Sequence, residues 1–530
     1  MVGAVRQLLN RRAFVNLSAA GLAAAAFFEP WRGAAVAQTP RWRRDPFQLG
    51  VASGDPTPDG FVLWTRLAPA PLDPDERIEG PVEVIVEIAT DDGFKKIVRR
   101  EAHVARPDQA HSVHAEIIGL DAGRPYFYRF RAGAAVSPTG RTATAPRFGD
   151  RLDRLRFAWA SCAHFEQGYF TAYRDMAARN PDVILALGDY IYEVSWGPQV
   201  RRQAVNDAVT LDEYRLVHAC YKLDPDLQAA HAAAPWLFIW DDHEVANDYQ
   251  GDVGKMPTGM DASGFRARRI AAYRAFFEHT PVRLRSQLDP IGRMRMYGEC
   301  GFGDLVDFTL LDTRQYRARA ACPSPGRLES ELVSRAACAE LADPTRTILG
   351  FDQERFVSAN FMRAPFAWSV LVQPTLFSTL WQTNAKGEPA AFNDGWGGYE
   401  PARQRLIDMM AARGADSACV VIGGDMHGFW ASEVKQDYAR PESKVVAAEF
   451  IGSSVTATSN AFARFTAMLP ANPHIKFFDD RTRGYGLADV TRQRMEVSLM
   501  STPTVWRPDA PFAPIKRYAV DAKSPGLVEV

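Results

Sequence analysis

From Phe47 to about Pro146, apolar and polar positions alternate with a period of two and are broken by Gly, Pro and Asp. The pattern predicts short, half-buried strands at Phe61–Arg66, Val82–Ile88 and Val113–Ile118. The run Leu120-Asp121-Ala122-Gly123-Arg124-Pro125-Tyr126 reads as a turn entering an aromatic strand. Beyond Arg154 the pattern changes to continuous apolar runs, at Leu155–Ala160, Val183–Leu187, Trp236–Trp240, Leu305–Leu311, Trp368–Val372 and Cys419–Ile422. Such runs are strands buried on both faces. Helical spacing lies between them, over 266–279 and 400–413.

These periods predict an α/β protein with two parts. A fibronectin-like β-sandwich is expected at 44–147, with a tyrosine-corner segment around Tyr126. A large α/β domain is expected at 153–500. The remaining residues, 501–530, carry Pro503, Pro508, Pro511 and Pro514 and read as a C-terminal extension. Residues 386–399, rich in Gly and aromatics, read as either a mobile loop at a substrate mouth or a surface turn.

Residues 1–38 follow neither pattern. Asn10-Arg11-Arg12-Ala13-Phe14-Val15 precedes a mildly apolar Ala-rich run, and Ala35-Val36-Ala37 fits a cleavage site. The order of charged, apolar and small residues predicts a signal peptide of twin-arginine type, hence Tat export and a periplasmic or secreted protein. The apolar run is shorter than the roughly 20 residues a membrane helix needs, so no transmembrane anchor is expected.

Composition narrows the classes further. The 530 residues carry 62 Lys+Arg against 63 Asp+Glu, a formal charge of −1. That balance provides no general field for nucleic acid. Six Cys in a chain of this length do not build a disulfide scaffold. Cys322 and Cys338 are close enough in sequence to pair in an oxidising compartment.

The chemistry gathers just after the apolar runs. Gly188-Asp189-Tyr190-Ile191-Tyr192 follows one, Asp241-Asp242-His243-Glu244 another, and Gly424-Asp425-Met426-His427 a third. In α/β sheets the ligand site lies outside the carboxyl ends of the strands. Cys162, Asp189, Tyr192, Asp242, His243, Asp425 and His427 would therefore meet. Taken singly, Asp189 also reads as a turn residue and Cys162 as an ordinary buried thiol. Four ionisable residues in a row after an apolar strand are costly unless paired or metal-bound. Asp312, also after a strand, reads as a buried anion paired with Arg314.

The longer motifs carry a resemblance. They are FQLGVASGDPTPDGFVLWTRL at 47–67, ASC at 160–162, GDYIYE at 188–193, WDDHEVANDY at 240–249 and GGDMHG at 423–428. In this order they resemble the alkaline phosphatase D (PhoD-type) family of calcineurin-like metallophosphoesterases, over roughly residues 45–500. The resemblance implies an α/β/β/α metallophosphoesterase sandwich and a binuclear or larger centre. Cys162, Asp189, Tyr192 and His427 would hold Fe³⁺, a thiolate and a tyrosinate suiting a trivalent ion. Asp189 would bridge to a second site, where Asp242 and Asp425 would hold Ca²⁺. Purple acid phosphatases have Asn-His where this chain has Asp242-His243, and GHxH where it has Gly424-Asp425-Met426-His427. They also have a His beyond the strand that here ends in Val372-Gln373-Pro374. Each change puts oxygen in place of nitrogen and disfavours Zn²⁺.

The activity so implied is that of a monomeric alkaline phosphatase releasing phosphate from mono- and diesters by two-metal activation of water. Asp242 and His243 would be catalytic, His243 steadying the phosphate or protonating the leaving group, with Asn247 and Asp248 orienting them. Two other readings are a phospholipase-D-like phosphodiesterase on the same centre and a non-catalytic periplasmic binder of metal or phosphate.

Overall fold

A computed structural model describes residues 41–73, 75–256, 262–363, 366–413 and 417–530. The signal-peptide reading of residues 1–38 lies outside them. The architecture is mixed α/β and is built on two large sheets packed face to face.

The first sheet has ten strands and the second seven. The centre of the first is parallel, Arg154–Ala160 beside Val183–Leu187 beside Trp236–Ile239. The centre of the second is Val306–Leu310, Trp368–Val372, Ala418–Gly423 and Val445–Ile451, also parallel. Strand alternation sorts the side chains. Phe157, Trp159, Leu185 and Leu237 point between the sheets and meet Val306, Phe308, Val370 and Val420. Ala158, Ala160, Ile184, Trp236 and Phe238 point outward. There they are covered by the helices Thr171–Ala178, Leu211–Lys222, Pro225–Ala233 and Ala262–His279. The outer face of the second sheet, with Leu371, Cys419 and Val421, is covered by Phe351–Phe361 and Glu400–Arg413. The layers are thus α/β/β/α, the expected fold class.

The N-terminal strands do not stand apart from this sandwich. Ile97–Ala105, Val82–Ala89 and Pro125–Ala132 form one layer of a β-sandwich. Its core is Val84, Val86, Ile88, Tyr128 and Phe130, packed on Phe61, Leu63, Val113 and Ile117. The strands bearing that second set, Gly60–Arg66 and Ser112–Ile117, continue the ten-stranded sheet through Val51–Thr57, which pairs in parallel with the Trp236 strand at Gly54. A Cβ on Gly54 would lie 2.5 Å from the Pro281 carbonyl oxygen, so the join requires glycine. At the other edge, Ala513–Asp521 and Ser524–Glu529 add two antiparallel strands.

Residues 386–399 are neither a free loop nor a simple surface turn. Pro389–Phe392 pairs with Leu332–Ser334 in a three-stranded sheet. Trp396 is buried, its indole N–H donating to Gln373 Oε1 at 3.0 Å. Cys322 and Cys338 form a disulfide.

Candidate metal centre

Three parallel strands of the first sheet and one of the second deliver their C-terminal loops to one place. Cys162 follows Arg154–Ala160, Asp189 follows Val183–Leu187, Asp242 and His243 follow Trp236–Ile239, and Asp425 and His427 follow Ala418–Gly423. Cys162 (φ +57°), Asp189 (φ +48°), Asp425 (φ +61°) and His427 (φ +46°) all adopt left-handed backbone. Non-glycine residues held in that region carry strain of about 1–3 kcal/mol each, and they concentrate at functional sites. Gly188 makes the crossing of two loops possible, since a Cβ there would lie 2.5 Å from Asp241 Cβ. Buried Glu244 ties the same loops, accepting from the amides of Asp189 (3.1 Å), Tyr190 (2.6 Å) and Asp241 (2.8 Å).

The expected residues come together. Cys162, Asp189 and His427 offer ligand atoms within 4.8 Å of one another, and so do Asp189, Asp242 and His243. The Tyr192 hydroxyl lies 3.1 Å from Asp189 Oδ2 and 3.0 Å from His427 Nε2. His427 Nδ1 lies 3.0 Å from the Thr458 carbonyl oxygen. That contact fixes the tautomer: Nδ1–H donates outward and the Nε2 lone pair faces Tyr192. Asp425 Oδ2 accepts from Thr375 Oγ1 at 2.7 Å.

Burial dominates the electrostatics. It pushes Asp189 well above the usual carboxylate range, with the Asp242 charge adding to it. It raises Asp425 to about 7, again with Asp242 next in weight. Burial, then the Asp189 charge, raises the Cys162 thiol and the Tyr192 phenol. It lowers His427 to about 4, so that imidazole is neutral near pH 7. At Asp242 burial also opposes ionisation, but the Arg314 and His243 charges outweigh it and hold the carboxyl low. At His243 burial opposes the charged form, while Glu193, Asp242 and Asp189 outweigh it and raise the imidazole well above its ordinary value.

Further contributors are Glu193, which closes the GDYIYE motif, and Arg314, Asp394 and Gln373, which carry no motif of their own. Glu193 Oε2 sits 2.7 Å from His243 Nδ1. Arg314 donates Nε to Asp241, places Nη2 3.5 Å from Asp242 and pairs Nη1 with Asp394 at 2.9 Å. Asp312 therefore does not hold the Arg314 guanidinium. It caps the turn instead, accepting the Arg314 and Gln315 amides at 2.9 Å each. Asp394 lies in the Gly- and aromatic-rich stretch read as a loop or turn, where Asn393-Asp394-Gly395 reads locally as an ordinary turn. Gln373, at the position where a His ligand was absent, accepts from the Thr375 amide (3.1 Å) and from Trp396.

Two β-sheets packed between helices, with a thiol, a phenol, imidazoles and carboxylates at the strand ends, define a phosphoesterase-class hydrolase. Residues 157–499 match the PhoD-like phosphatase family and residues 33–146 match the PhoD-like phosphatase N-terminal domain. Alkaline phosphatase D of Bacillus subtilis (strain 168) is 38% identical over 504 residues, spanning 93% of this chain and 84% of that protein. The solved structure of PhoD superposes with a TM-score of 0.85 at 38% identity, covering 93% of each chain. The chain belongs to the PhoD-like phosphatase family and is a phosphoric ester hydrolase.

Proposed function

We propose that this enzyme is an exported, metal-dependent alkaline phosphatase acting on phosphate mono- and diesters through a centre of at least two ions. One observation carries the metal reading. Asp189, Asp241, Asp242 and Asp394 are buried together with half-buried Asp425 beside them, and Arg314 and Arg317 are the guanidiniums among them. Buried carboxylates ionise only when positive charge compensates them, and two arginines fall short of five acids.

The donors divide by chemistry. Cys162, Tyr192 and His427 with Asp189 suit Fe³⁺, which favours phenolate and thiolate. Asp242 and Asp425, with Asp189 between, suit an oxygen-seeking ion such as Ca²⁺. When bound, such ions supply hydroxide from water near neutral pH and neutralise charge on the phosphate. His243 is the group placed to donate a proton to the leaving oxygen, with Glu193 holding its Nδ1 side. The half-buried Trp196 ring lies parallel to His427 at 6.3 Å between centroids.

Export rests on the twin-arginine pattern at Asn10–Phe14, and the Cys322–Cys338 disulfide fits an oxidising compartment. The test is elemental analysis of exported protein together with turnover of p-nitrophenyl phosphate, bis-p-nitrophenyl phosphate and phosphatidylcholine. Stoichiometric iron and hydrolysis of the first two are expected. Turnover of the lipid alone would replace this reading with the phospholipase-D-like one.

A further inference from the structure

A segment outside the strand-end loops reaches the oxygen-rich side of the centre. The disulfide Cys322–Cys338 closes a stretch of chain whose middle, Ser330, lies against the active-site loop. The Ser330 amide and hydroxyl both donate to Asp248 Oδ2, at 3.0 and 2.8 Å. Asp248, in left-handed backbone at φ +56°, gives its own amide to Asp242 Oδ2 at 2.7 Å. Ser330 is thus two hydrogen bonds from a carboxylate of the centre, and those bonds fix which way that carboxylate turns.

The segment is built to hold this position. Gln250, two residues after Asp248, takes the Ala320 amide on Oε1 at 2.7 Å and reaches the Leu328 carbonyl with Nε2 at 3.4 Å. The Glu331 amide donates to Asn393 Oδ1 at 2.8 Å, and Asn393 Nδ2 donates to the Ala321 carbonyl at 3.0 Å. Ser324 donates its amide (2.5 Å) and hydroxyl (2.8 Å) to Glu331 across the loop, and Lys255 pairs with Glu329 at 2.8 Å. The disulfide lies at the base, where Cys338 is buried against Ala321, Val333 and Ala391.

We propose that Ser330 is a positioning residue for the second-ion side of the centre, and that the Cys322–Cys338 loop is the clamp that presents it. Ser330 acts through Asp248 and the orientation of Asp242, without touching substrate. The clamp is a covalent feature far from the ligands in sequence, so the oxygen-rich half of the centre is complete only after the disulfide has formed. This inference rests on the reading of Asp242 as a ligand of a divalent ion.

The experiment compares the wild-type enzyme with Ser330→Ala, Ser330→Thr and the double variant Cys322→Ser/Cys338→Ser. Calcium binding is read by titration calorimetry, iron by its visible absorption, and turnover with p-nitrophenyl phosphate. Ser330→Ala is expected to weaken calcium binding by about 10- to 100-fold, the range for loss of a residue supporting a metal ligand. Its iron absorption stays intact, and threonine restores binding. The double variant follows Ser330→Ala. If Ser330→Ala binds calcium as the wild type does, the proposal fails, whether or not the double variant folds. If the wild type binds no calcium and hydrolyses no ester, the functional reading fails first, which is a separate outcome.

Discussion

Glu193 and His243, 50 residues apart in sequence, meet through a 2.7 Å contact between a carboxylate oxygen and Nδ1. Glu193 Oε1 also accepts the Asn247 amide at 3.0 Å, so the acid is fixed at both ends. A proton held on His243 matters most when the leaving group is a poor one. Glu193→Gln keeps the shape and removes the charge that supports the imidazolium. The variant is expected to lose about 100-fold or more in kcat on an alkyl phosphate, the scale of general acid catalysis. On p-nitrophenyl phosphate, whose leaving group needs no proton, it is expected to lose little. Equal losses on both substrates would remove the acid role.

Cys162 and Asp189 are joined by their backbones as well as by the site. The Cys162 amide donates to Gly188 O at 3.3 Å, and the Ala163 amide donates to Asp189 O at 2.9 Å. Cys162→Ala and Asp189→Asn each remove a donor while sparing these bonds. Both variants are expected to lose iron by elemental analysis and to lose at least about 100-fold in turnover, the upper end of what even a supporting residue contributes. Retention of iron and activity in either one would overturn its assignment as a ligand.

The second-ion side is all oxygen apart from His243, and Glu193 occupies that ring's Nδ1. Asp425 is aimed by Thr375, and Asp242 by the Asp248 amide. A calcium chelator is therefore expected to inactivate the enzyme reversibly. Calcium should restore activity more fully than zinc, which favours nitrogen and sulfur. Rescue by zinc as complete as by calcium would contradict the oxygen-rich reading.

What was legible in the chain was what short-range pattern encodes. The apolar runs at Val183–Leu187 and Trp368–Val372 are strands with those bounds, and the helix over 400–413 is Glu400–Arg413. The site residues were legible because each follows such a run, and strand direction places the ends together. Pairings across long sequence separations were not legible. Nothing local says that Arg314 lies on Asp241 and Asp394 rather than on Asp312, or that Ser330 reaches Asp248. The N-terminal strands look self-contained by period. Their share in the ten-stranded sheet depends on one glycine at position 54, whose neighbours are Pro281 and Trp236.

Asp307 offers a test of burial away from the centre. It sits on Val306–Leu310, beneath the helix Phe351–Phe361, and Asn360 Nδ2 donates to it at 3.0 Å. Burial outweighs the nearby Arg413 charge and hydrogen bonds, raising the carboxyl from 3.8 to about 6. A carboxyl raised in the folded state favours folding while protonated. Its contribution is fully present below pH 3.8 and is lost as pH rises to about 6. Asp307→Asn cannot ionise, and Asn360 Oδ1 has no hydrogen-bond partner among the described residues that the new amide would displace. The substitution is expected to leave stability unchanged near pH 4. The gain should grow through pH 5 and reach about 3 kcal/mol above pH 6, from roughly two pKa units at 1.36 kcal/mol each. Denaturant unfolding of both proteins from pH 4 to 8 checks it. A difference that does not vary with pH would mean that Asp307 ionises in the fold as easily as in water.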